Sequence, residues 1–125
     1  MTQAEYNKSP KGKSRASKYA QTPKGKAAAR RKHLKRVYDI TPEYWDLLFN
    51  AQNGMCAGCG TTEPGGHHNT FHVDHNHDTE EVRGLLCGAC NMALGLLNDD
   101  PKVLQNLVAY HHTPTSKRLA AMHAM

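Results

Sequence analysis

Two Cys-x-x-Cys pairs, Cys56-Ala57-Gly58-Cys59 and Cys87-Gly88-Ala89-Cys90, constrain this chain more than any other feature. A two-residue gap lets both thiolates of a pair turn toward one tetrahedral ion, and two pairs complete four sulfur ligands. Gly58, Gly60 and Gly88 supply the tight backbone that such knuckles need. A redox Cys-x-x-Cys normally occurs once, in a βαβ context that this pattern lacks. The spacing therefore predicts a structural zinc on Cys56, Cys59, Cys87 and Cys90, with no coordination position open for catalysis. Composition adds a motive. Of 125 residues only 38% are hydrophobic and 6% aromatic, and a polar chain of this size often needs a metal, disulfide or partner to hold together.

Disulfides are the rival use of four cysteines, so compartment matters. The opening MTQAEYNKSPKGK has no apolar stretch of the kind a signal peptide requires. No apolar run approaches the roughly 20 residues that cross a bilayer. The expectation is a cytoplasmic, reducing location (the host cytoplasm for a phage-encoded chain) with no membrane contact. Paired cysteines there bind metal more often than they form bridges.

The net charge of +5 is unevenly spread. Residues 1–36 hold twelve of the sixteen Lys and Arg against one acid, Glu5, whereas residues 37–125 hold four basic and ten acidic residues. Such asymmetry predicts a basic arm over 1–37, partly helical or disordered, whose partner is a polyanion, DNA above all. A solubilising tail is the plainer alternative. The candidate phosphate contacts are Lys24, Lys26, Arg30, Arg31, Lys32, Lys35 and Arg36. Ser9-Pro10-Lys11-Gly12-Lys13 returns thirteen residues later as Thr22-Pro23-Lys24-Gly25-Lys26, with Ser9 and Thr22 placed to cap following helices. Ala27 to Arg36 is rich in helix formers.

Residues 38–112 read as the folded domain and 113–125 as a tail. Thr41-Pro42 predicts a helix start, with Tyr44, Leu47, Leu48 and Ala51 at helical spacing, widened by Trp45 and Phe49, and an end at Asn53-Gly54. Asp100-Pro101 opens another helix bearing Val103, Leu104, Leu107 and Val108. Both stripes are expected to pack in the core. Between them lie short β segments at Phe71–His75 and Val82–Leu86 around a polar turn. The fold class is α+β.

Five of the nine histidines fall between residues 67 and 77. His67 and His68 read as exposed loop residues and His72 as a packed strand residue. The sharper cluster is Asp74-His75-Asn76-His77-Asp78, and Asn91 directly follows the last cysteine. Phosphodiester hydrolysis needs a hard cation on oxygen ligands, a base titrating near neutrality, and a rigid frame relating them. Asp74 and the Asn91 amide oxygen suit magnesium or manganese. His75 suits the base, since an imidazole has an unperturbed pKa of about 6.5. His77 shares a face with His75 if the strand continues, and can then touch the phosphate. Arg83 reaches either a phosphate or, in a surface salt bridge, Glu80 or Glu81.

CAGC at 56–59, DHNH at 74–77, VRGLLC at 82–87, CGAC at 87–90 and the Asn91 that follows form a set that resembles the phage recombination endonuclease VII family, within the HNH (ββα-metal, His-Me finger) nucleases. The likeness runs from about Tyr38 to His112. It implies a zinc-stapled ββα-metal module flanked by helices, with zinc on the four cysteines, magnesium on Asp74 and Asn91, His75 as general base and His77 polarising the scissile phosphate. It further implies cuts leaving a 5′ phosphate and a 3′ hydroxyl. Many HNH enzymes have His where Asn91 stands, but this family has Asn. The middle Asn of the general HNH pattern has no counterpart in Val82–Leu86. Members carry a longer helical region for dimerisation and junction binding, of which little follows His112 here.

The expected activity is thus a metal-dependent DNA endonuclease that nicks DNA or cuts branched or four-way-junction DNA. A second copy of the chain and phage replication or packaging proteins are the protein partners it leaves open. The rival from another class is a non-catalytic zinc-ribbon DNA-binding or phage assembly protein. The intact Asp74, His75, His77 and Asn91 set separates the two. A zinc redox sensor explains neither the histidines nor the basic arm.

Overall fold

The computed structural model describes residues 2–123; Met1, Ala124 and Met125, at the ends of the expected arm and tail, lie outside the described residues. Three helices come first: α1 (Gln3–Lys8), α2 (Pro10–Ala20) and α3 (Pro23–Tyr38). Then follow α4 (Pro42–Ala51), the strands β1 (His72–His75) and β2 (Val82–Leu86), and α5 (Gly88–Leu96), α6 (Pro101–His112) and α7 (Thr115–His123). The two strands pair antiparallel, which makes the fold α+β.

The thirteen-residue repeat has a structural reason. Ser9 and Thr22 cap α2 and α3 by accepting from the amides of Gly12 and Gly25 at 3.1 and 3.0 Å. Each hydroxyl also donates back to the preceding helix, to the carbonyls of Tyr6 and Tyr19. The helices cross so closely there that a Cβ on Gly12 or Gly25 would sit 2.0 or 1.9 Å from those same carbonyl oxygens. Glycine is required at both joints. The charge flanking them is incidental to the turn.

The buried cluster is small: Leu34, Ile40, Cys56, Phe71, Val73, Leu85, Leu86 and Cys87. Leu34 belongs to α3, so the core reaches back through the boundary drawn after residue 37 into the basic segment. Arg30 stacks over the Trp45 ring at 5.2 Å, and Arg31 pairs with Glu43 at 2.6 Å, tying α3 to α4.

Thr41 caps α4 as its sequence requires, and Asn53 and Gly54 end it with left-handed backbone. The buried face differs from the expected one. Trp45, Leu48 and Phe49 pack on the core, while Tyr44 and Leu47 are exposed. The six apolar side chains spread over about 200° of the helix, wider than the face the core covers, so spacing alone does not select which part is buried. The stripe of α6 is a plainer correction. Leu107 and Val108 are 46% and 60% exposed, and α6 gives no residue to the buried cluster. An amphipathic stripe defines a helix face without naming what covers it.

Gln52, just past α4, closes the outer edge of β2. Its Oε1 accepts from the Leu85 amide at 2.9 Å, and its Nε2 donates to the Leu85 and Met55 carbonyls at 2.9 and 2.8 Å. Gly84 makes room, since a Cβ there would lie 3.0 Å from Gln52 Oε1. Gln52→Ala leaves the amide of fully buried Leu85 without its partner. It should cost about 1–3 kcal/mol, read as a lower urea midpoint.

Candidate metal-assisted active site

The four cysteine sulfurs lie within 4.8 Å of one another, although residues 60–86 separate the first pair from the second. Cys59 and Cys87 Sγ atoms are 3.7 Å apart, close to the roughly 3.8 Å edge that four zinc–sulfur bonds of about 2.3 Å imply. Backbone amides serve the sulfurs as well. Gly58 and Cys87 donate to Cys56 Sγ at 3.3 Å each, and Cys90 donates to Cys87 Sγ at 3.4 Å. Burial opposes a thiolate at Cys56, but these donors prevail and bring its pKa down to about 6. Burial and the neighbouring sulfurs push Cys90 up to about 12. A divalent cation relieves the crowding of charge by serving all four thiolates together, so the donor set fits zinc. Cys87 is also the N-cap of α5. The staple and the helix that carries Asn91 therefore share an atom.

A cleft of about 280 Å³ is lined by Tyr38, His72, Asp74, His75, His77, Arg83, Asn91 and Asp99, with Val73, Leu94 and Gly95 as its apolar wall. All four residues expected to carry hydrolysis line it: Asp74 and His75 from β1, His77 from the turn, and Asn91 from the first turn of α5. β1 ends at His75, so His77 does not continue the strand as expected. The Asn76 side chain instead accepts from the amides of Asp78 and Thr79 at 2.8 and 3.2 Å and folds a tight turn. That turn still brings the His77 ring to 4.5 Å from His75. His75 also meets Tyr38, edge-on at 5.7 Å.

Arg83 is the main correction. Asp74 pairs with Gly84 but His75 pairs with Val82, so Arg83 is the extra residue of a β-bulge. Bulges re-aim a side chain, and this one turns the guanidinium across the hairpin. It donates to both Asp74 oxygens at 2.8 and 3.0 Å and to Asp99 at 3.0 Å. Glu80 and Glu81, its expected partners, are not engaged. The hydrogen bonds that Arg83 donates to Asp74 and then to Asp99 raise its pKa still further above its ordinary value. Asp74 therefore sits where positive charge is favoured, and its carboxylate and the Asn91 amide oxygen are hard donors that fit magnesium or manganese. Asp99 escaped the sequence reading. Only its place beside the Asp100 cap marks it, and nothing in the chain pattern points it at the cleft.

The seven basic candidates in the N-terminal segment all lie on α3. Lys24, Lys26, Lys32 and Arg36 are exposed. Arg31 is held by Glu43, whose hydrogen bond raises the arginine's pKa while the arginine lowers that of Glu43. Lys35 pairs with Asp39. Arg30, with His33, Trp45, His68 and Thr70, lines a second groove of about 520 Å³, which shares Tyr38, His72 and Val73 with the cleft. A basic helix thus borders a groove that leads into the candidate site. Among the described residues no helix is long and apolar enough to cross a membrane.

The "Gene 59 protein" of Mycobacterium phage D29 is 37% identical over 78 residues, and that of Mycobacterium phage L5 is 37% identical over 79. Each alignment covers 62% of this chain and 46% of the relative, so the chain spans about half the length of the curated relatives it matches. The family profile described as recombination endonuclease VII matches residues 31–113, which takes in Leu34, the four cysteines, the cleft and α6. The chain belongs to the recombination endonuclease VII family.

Proposed function

We propose that the chain is a metal-dependent DNA endonuclease of the HNH type that hydrolyses phosphodiester bonds, nicking DNA or cutting branched or four-way-junction DNA. The observation that carries the reading is the shared cleft. Asp74, His75, His77 and Asn91 converge there beside a cysteine cluster that fixes the strand and helix bearing them. Asp74 and Asn91 would hold magnesium or manganese, which supplies charge neutralisation at the phosphate when bound. His75, with the Tyr38 and His77 rings near it, takes a proton from the attacking water. His77, exposed at the cleft mouth, donates to a phosphate oxygen. The bond from phosphorus to the 3′ oxygen breaks, that oxygen takes a proton from solvent, and the ends are a 5′ phosphate and a 3′ hydroxyl. The relatives are phage proteins, so the setting in this reading is the host cytoplasm, with phage replication or packaging proteins nearby.

One observation favours a second reading. Arg83 occupies both Asp74 oxygens, as it would in a DNA-binding module without chemistry. Incubating zinc-loaded protein and magnesium with labelled linear, nicked and four-way DNA decides between them. The nuclease reading expects at least one form to be cut. Binding without cleavage of any form, with manganese as well, favours the module.

The basic segment should add affinity through phosphates. Because Leu34 anchors α3, the informative deletion is residues 1–22, which hold five Lys and Arg, and not the whole of 1–36. Each phosphate that a removed cation had neutralised accounts for about 0.9 of the log–log salt slope of duplex binding, so the slope should become shallower by up to about 4 to 5. An unchanged slope would mean that α1 and α2 do not touch DNA.

A further inference from the structure

The chain between α5 and α6 is unusually bent. α5 closes with the Asn98 amide on the Gly95 carbonyl at 3.1 Å and the Asp99 amide on Leu94 at 2.8 Å, the paired bonds of a Schellman end. That motif needs one left-handed residue. Here two non-glycine residues in succession are left-handed, Asn98 at φ 56° and Asp99 at φ 53°. A left-handed non-glycine residue costs free energy and persists where something else requires it. What the second one achieves is visible: the Asp99 carboxylate, 22% exposed, is turned back into the cleft onto Arg83. The β-bulge at Arg83 is a second local irregularity serving the same contact.

The charges explain why the pair matters. Asp74, Asp99 and Arg83 together leave the cleft one negative charge, which repels a phosphodiester. A divalent cation on Asp74 makes the same set one positive. It also removes the reason for Arg83 to stay on Asp74, since two cations would then crowd one carboxylate. Asp99 keeps the guanidinium at the cleft wall, where its fork matches phosphate oxygens.

We infer that Arg83 competes with the divalent cation for Asp74 and, once displaced, turns on its Asp99 tether to a phosphate of the bound DNA strand. This rests on the metal-dependent reading above and adds an order to it: the cation binds first and converts the cleft from phosphate-repelling to phosphate-binding. Arg83 is then a substrate-binding residue, and Asp99 a positioning residue that acts through it.

The test is manganese binding to the zinc-loaded chain without DNA, followed by paramagnetic resonance. Manganese does not displace zinc from thiolates, so the zinc staple stays intact. Arg83→Gln should bind manganese about tenfold tighter or more, the loss of one charge-assisted competitor. Asp99→Asn should bind it more weakly, because Arg83 then has Asp74 alone. Arg83→Lys separates exchange from simple repulsion. It keeps the charge but lacks the fork, so exchange expects tighter binding than wild type and repulsion alone expects no change. In a His75→Ala background, which spares the DNA, manganese should raise duplex affinity in the presence of Arg83, and Arg83→Gln should lose most of that gain. Unchanged or weaker manganese binding by both Arg83 variants would overturn the inference. So would an equal loss of DNA affinity with and without manganese, or no manganese binding by any variant. Manganese exchange in a chain that cuts no DNA would sink the nuclease reading and leave this one standing.

Discussion

His75→Ala lowers the single-turnover rate of DNA cleavage by about 10²–10⁴, the usual loss when a general base is removed. His75 is the last residue of β1, directly before the turn, with the Tyr38 and His77 rings packed near it. Neither neighbour is a carboxylate, so the ring is steered by packing and its nitrogens remain available to water. It takes no part in the buried cluster or the cysteine site. Zinc content, urea midpoint and duplex affinity should therefore stay near wild type while the rate falls. Equal cleavage by the variant would mean that another group takes the proton, and exposed His77 would be the next to test.

Loss of the zinc should have the largest effect on stability. Of the eight residues in the buried cluster two are cysteines, and the sheet has only two strands. A two-stranded sheet is marginal alone. Apparent zinc-binding free energies of about 10–16 kcal/mol in small zinc domains equal or exceed the whole stability of an ordinary domain. Cys87 is the most exacting position, because it would ligate the zinc, accepts the Cys90 amide and caps the helix that carries Asn91. Cys87→Ser, or a strong chelator acting on wild type, should unfold β1, β2 and α5 together, read by loss of near-ultraviolet dichroism. Native mass spectrometry should find one zinc per folded wild-type chain. A folded, metal-free protein with four reduced thiols would contradict this.

What the sequence made legible was local. Two-residue cysteine gaps, the Ser9, Thr22, Thr41 and Asp100 caps and the Asn53-Gly54 stop depend on neighbours within four positions, and each forms as the pattern requires. The reach of the core into α3 was hidden because Leu34 is a lone apolar residue in a run of cations. Strand register hid the role of Arg83. An even ladder would set it opposite His75, and only the bulge carries it to Asp74. Asp99 depends on two left-handed residues in succession, which no propensity anticipates. The convergence of Asp74, His75, His77 and Asn91 was legible because β1 and its turn lie between the two cysteine pairs and Asn91 directly follows the last cysteine.

The most direct measurement is cleavage of end-labelled nicked and four-way DNA by the zinc-loaded chain, with and without added magnesium, and with the product ends mapped. The account predicts cuts only with magnesium, each leaving a 5′ phosphate and a 3′ hydroxyl. Cuts of equal rate without any added divalent ion, or no cuts with magnesium or manganese on any DNA form, would contradict it.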